Sequence, residues 1–101
     1  MDLSTQEKHF ADARRLTREL LHRRYLARTA FSALCVDQAI RAACGQTIST
    51  FEKCELRNLS LARKNWEALA LLQVAVLREA RRALIWARVG LEASFRTSKR
   101  A

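Results

Sequence analysis

The side chains able to do chemistry in this 101-residue chain are few and scattered. Cys35, Cys44 and Cys54 stand at wide spacings with no Cys-x-x-Cys pair, and neither His9 nor His22 lies near them. Zinc needs deprotonated ligands that converge tetrahedrally, usually from short-spaced pairs. The cysteines therefore read as three reduced thiols serving as small core residues. That usage fits an intracellular setting (cytoplasmic, nuclear or virion-interior) rather than a secreted one. Acid–base or nucleophilic catalysis needs a base held against its partner. Here the ten Asp and Glu residues stand singly, and there is no Gly-rich phosphate loop and no Ser/His/Asp set. The sequence predicts no enzyme, no cofactor, no bound metal and no small-molecule substrate.

Charge is the stronger chemical signal. Nineteen Lys and Arg oppose ten Asp and Glu, for a net charge of +9, and fifteen of the nineteen are arginine. The guanidinium fork suits phosphates and carboxylates, and a field of this sign attracts nucleic acid, anionic membrane or an acidic protein surface. The segment 14–28 holds six arginines and one acid, Glu19. Arg14, Arg15, Arg18 and Arg28 could track phosphates from one side of a helix. Arg78, Arg81, Arg82 and Arg88 form a second basic side, with Trp86 placed among them to stack a base. The same arginines could equally select an acidic protein.

These residues must be positioned by helices. The chain has no proline and only Gly45 and Gly90. Two Ser-x-x-Glu capping boxes, Ser4…Glu7 and Ser49…Glu52, mark helix starts. Gly45 marks a stop, because glycine alone takes the left-handed C′ conformation without penalty. The expected fold class is all-α, a long helical hairpin or a small three- to four-helix bundle. A single domain spans 1–95, with helix 1 over about 5–44, a turn at about 45–49 and helix 2 over about 50–95. Asn58–Ser60 offers a weak break, Thr29–Ser32 a weaker bend, and 96–101 a frayed basic tail. At 100° per residue Ala13, Leu16, Leu20, Ala27, Phe31 and Leu34 share one face of helix 1. Trp66, Leu69, Leu77, Ala80, Leu84, Ala87 and Leu91 do so on helix 2. The polar N-terminus shows no signal peptide. The longest apolar stretch, Trp66 to Leu77, is far short of the roughly 20 residues that span a membrane.

One stretch resembles a known motif. Thr47-Ile48-Ser49-Thr50-Phe51-Glu52 is similar to the recognition helix of POU-specific and phage-repressor helix-turn-helix domains, and Arg88-Val89-Gly90-Leu91-Glu92-Ala93-Ser94-Phe95 to the first helix of a POU homeodomain. The resemblance implies DNA binding. Gly45 stands three residues before Ile48 where that motif needs a glycine turn about six before, and Thr50 occupies the place of its DNA-contacting arginine. The family is not assigned, and the shared pattern reduces to a capping box.

Apolar area points elsewhere. Leu72, Val76, Ile85, Trp86 and Val89 cannot all face a two-helix seam, and a contiguous exposed apolar patch marks a binding surface. The expected function is a small basic interaction protein, acting in assembly or as an adaptor or chaperone. It would bind a protein partner or a second copy, a dimer being the default, through Leu69, Leu72, Val76, Leu77, Ile85, Trp86 and Val89. The alternative is a nucleic-acid-binding, regulatory protein that uses the two arginine faces.

Overall fold

The computed structural model describes residues 2–100, with the side chains of 98–100 left aside. It is an all-α hairpin: α1 spans Leu3–Ala43 and α2 spans Thr50–Arg100. Of the architectures the sequence allows, the two-helix form is the one adopted. α2 runs through Asn58–Ser60, and α1 through Thr29–Ser32, without interruption. Neither site has the glycine or proline needed to break a helix. α2 also continues past Phe95, so residues 96–100 extend the helix instead of leaving it.

α1 begins earlier than the Ser4 box predicts. Asp2 is the cap: its Oδ1 accepts from the Thr5 N–H at 2.7 Å, and its carbonyl accepts from the Gln6 N–H at 3.2 Å. An aspartate two residues upstream offers the same N3 bond as Ser4 and adds a negative charge at the positive end of the helix dipole. That bond holds the Asp2 carboxyl below its usual pKa. Ser4 is left inside the first turn.

The turn follows the sequence closely. Gly45 sits at φ +78°, the Gly45 N–H donates to Ala42 O at 3.0 Å, and the Gln46 N–H donates to Arg41 O at 2.9 Å. Those two bonds make a Schellman stop. Four residues on, the Ser49 box closes reciprocally, the Glu52 N–H reaching Ser49 Oγ at 3.2 Å and the Ser49 N–H reaching Glu52 Oε2 at 3.0 Å. Glu52 does double duty, because Arg41 donates Nη1 to its Oε1 at 2.7 Å and Nη2 to its Oε2 at 3.3 Å. Gln38 Nε2 donates to the Glu52 carbonyl at 2.8 Å. The Arg41 and Ser49 bonds to its carboxylate hold the Glu52 pKa down at about 2, with Arg41 the largest cause and the Ser49 N–H the next.

By contact density the chain forms two compact units, a terminal unit of Met1–Arg18 with Leu71–Ala101 and a turn unit of Glu19–Ala70. In the terminal unit the buried and half-buried positions of α1 include Leu3, Gln6, Phe10, Ala13 and Thr17, facing Gln73, Leu77, Ala80, Leu84 and Ala87 of α2. In the turn unit they include Leu20, Arg24, Ala27, Phe31, Leu34, Gln38 and Arg41, facing Glu52, Leu56, Leu59, Arg63, Trp66 and Ala70. Both series step by three and four residues throughout, the spacing of a coiled-coil seam. The content of the seam is unusual. Its buried apolar residues are Ala13, Ala70 and Leu84, while Gln6, Thr17, Gln38 and Gln73 are buried polar ones.

Candidate interaction surface

Polar seam positions are satisfied mainly by backbone and by aromatic faces. Thr17 Oγ1 donates to Ala13 O at 2.7 Å, and Gln73 Nε2 reaches the same oxygen at 3.4 Å. In the turn unit Arg63 stacks over Phe31 at 4.7 Å and Arg23 over Trp66 at 5.4 Å. Arg63 Nε is buried without a hydrogen-bond partner, so the ring face carries that cation. Arg28 bridges the helices to Glu67 at 2.7 Å and, as the first cause, lowers the Glu67 pKa. The seam also half-buries Phe10, Leu20, Phe31, Leu34, Leu56, Leu59, Trp66 and Leu77, but other large apolar side chains find no place in it.

They are outside. On α2, Leu72 is 66% exposed, Val76 53% and Trp86 72%, with Leu69, Ile85 and Val89 each close to half exposed. Leu77, the remaining apolar residue singled out from sequence, is half-buried in the seam. By heptad register Leu69, Leu72, Val76, Glu79, Ala83, Trp86 and Gly90 form a second stripe beside the seam, stepping by the same threes and fours, with Glu79 its one charged member and Ala83 half-buried. From Ala68 to Leu77 the helix carries no charged residue on any side, yet it packs on one helix only. A helix apolar all round belongs inside a larger core.

Three residues placed in the core by 100° periodicity, Leu16, Leu69 and Leu91, are displaced from it. Leu16 is 43% exposed, and Leu91 is exposed as well. Leu69, at 45%, lies on the second stripe. For Leu16 and Leu69 the reason is register, since the coiled-coil step of 3.5 residues turns each successive heptad away from a fixed 3.6-residue stripe; Leu91, four residues after Ala87, keeps the seam step and is exposed nonetheless. The cysteines differ from expectation too: Cys35 is half-buried, but Cys44 and Cys54 are exposed. Among the described residues no group of His, Cys, Asp and Glu is placed to hold a metal ion, and no described helix is long and apolar enough to cross a membrane.

Sequence reasoning missed a second uncovered surface, on α1 within the turn unit. Tyr25, Thr29, Ser32, Ala33, Val36 and Ile40 line a shallow open groove, and Tyr25, Val36 and Ile40 are each more than half exposed. The available signal was the segment 29–40, where Asp37 is the only charged residue. Leu71, exposed beside Leu72, was passed over for a similar reason: it lies off the periodic stripe.

The arginines divide into paired and unpaired. Arg15 pairs with Asp12 at 3.6 Å and Arg82 with Glu79 at 2.9 Å, both along their own helix. Arg14 lies over the Phe10 ring at 5.7 Å. Arg18, Arg78, Arg81 and Arg88 are exposed and make no ion pair among the described residues. Arg28 is committed to Glu67, which separates it from the Arg14, Arg15 and Arg18 group. Comparisons with protein-family models, curated proteins and solved structures give no match to this chain.

Proposed function

We propose that the protein is an interaction module, not an enzyme, acting inside the cell as an assembly, adaptor or chaperone-like component. It binds a partner protein or another copy through the exposed apolar face of α2. The observation that carries this reading is the inversion of burial: Leu72, Val76 and Trp86 are mostly exposed while Gln6, Gln38 and Gln73 are buried. Water-exposed apolar area of this kind is stabilised only when something covers it. The unpaired arginines keep a nucleic-acid reading in play as the competitor.

Salt separates the two. Phosphate contacts weaken steeply with ionic strength, whereas an apolar interface does not. Size and the 260/280 nm absorbance ratio of the purified protein, at low and then high salt, are expected to show a salt-resistant assembly free of nucleic acid. A monomer carrying nucleic acid that salt strips away would refute the proposal.

A further inference from the structure

Resting on that reading, we infer the chemistry of the occupant: the stripe of α2 in the terminal unit docks a partner's amphipathic helix whose apolar face is edged with Asp and Glu. The stripe, Leu72, Val76, Glu79, Ala83, Trp86 and Gly90, keeps coiled-coil spacing, and its one charged member, Glu79, is paired with Arg82 at 2.9 Å, so its natural complement is another helix presenting a and d residues. Extended peptide would instead need a free sheet edge, and the described chain is helical apart from its turn.

Two observations point to a close, acidic neighbour. Gly90 lies within α2 at an ordinary helical φ, and a Cβ there would meet nothing within 4 Å. The hairpin itself therefore gives no reason for a glycine that weakens the helix. With Ala83 one heptad before it, Gly90 leaves room for a partner backbone. Charge supplies the second observation. The terminal unit holds eleven Lys and Arg against five Asp and Glu, which is +6 of the chain's +9. Arg78 and Arg82 lie in the row next to the stripe, and only Arg82 has an acid beside it.

A second copy fits this surface less well. A two-fold interface sets the same patch against itself, so the row of Arg78, Arg82, Glu92 and Arg96 meets a copy of itself with Glu79 beside it, three arginines against two acids on each side. Like charges facing across an interface oppose association, and opposite charges select the partner.

The test uses the full chain and two labelled 21-residue helical peptides with leucine at a and d. One carries glutamate at e and g, the other lysine. Fluorescence anisotropy and the emission of Trp86, separated from that of Trp66 by comparison with the Trp86→Phe variant, report binding. The glutamate peptide is expected to bind and shift Trp86 emission to the blue, with the lysine peptide at least tenfold weaker. In the double variant Arg78→Glu/Arg82→Glu, whose fold is checked by circular dichroism, that preference reverses. Equal binding of both peptides, or a preference the variant does not move, overturns the inference. A tight homodimer that buries Trp86 and excludes both peptides overturns it too, while leaving the interaction reading intact. A monomer that binds neither peptide and takes up RNA or DNA at low salt overturns both.

Discussion

Replacing Trp86 with alanine should separate assembly from folding. Trp86 is 72% exposed, so little more than a quarter of the side chain is covered within the hairpin. Taking about 250 Å² for a tryptophan and about 25 cal/mol per Å², the covered part stabilises the fold by less than about 2 kcal/mol. Alanine recovers about 0.5 kcal/mol of that through helix propensity, leaving a net cost near 1 kcal/mol. The uncovered part is about 180 Å², worth about 4.5 kcal/mol if a partner buries it completely. Alanine keeps a fraction of this, so the loss in binding is about 3 kcal/mol, or roughly a hundredfold in Kd. Thermal melts followed by circular dichroism give the first quantity. Sedimentation over a dilution series, or anisotropy with the acidic peptide, gives the second. The reasoning is refuted if Trp86→Ala melts the hairpin while the assembly constant stays unchanged.

Three further outcomes follow from the geometry. Gly90→Ala should stabilise the free protein by about 0.5–1 kcal/mol, since the site is helical and open and glycine is the poorer helix former; calorimetry reads this, and binding should weaken at the same time if a partner backbone passes there. Gln73→Leu should stabilise the hairpin by about 1 kcal/mol, because a buried amide held by one 3.4 Å bond is replaced by apolar surface and Ala13 O keeps its bond from Thr17; a lower melting temperature would contradict it. Acid should loosen the turn unit. The Glu52 pKa is depressed from 4.5 to about 2, so its contribution is complete above about pH 4.5 and is lost as pH falls toward about 2. Glu67, depressed by Arg28, acts in the same direction. Melts across this window should show the fall, and Glu52→Gln should flatten it.

The hairpin was legible because its signals are local. Gly45 and the Ser49–Glu52 box state where one helix stops and the next begins, and each needs only neighbouring residues to work. The start of α1 shows the limit of such reading, since Asp2 and Ser4 are both competent caps and only the bonds decide between them. The seam was less legible, for two physical reasons. Its polar members, such as Gln38 and Gln73, carry no hydrophobic signal and are buried by their place in the heptad. A helix of 41 residues also accumulates roughly 20° of drift per heptad between 3.6 and 3.5 residues per turn. A stripe drawn at fixed 100° therefore includes Leu16 and misses Thr17. The surface on α2 was found from excess apolar content, which survives errors of register. The groove beside Tyr25, Val36 and Ile40 was missed because alanine, serine and threonine separate its large residues.

The central claim is that the exposed apolar face of α2 is covered in the working protein, and hydroxyl-radical footprinting of that face tests it most directly. The protein as isolated from cells at native concentration is compared with the same protein diluted to the free hairpin. The account predicts that Leu72, Val76 and Trp86 are protected in the first sample and oxidised readily in the second, with Leu77 and Leu84 protected in both. Equal, high oxidation of Leu72, Val76 and Trp86 in the two samples would contradict it.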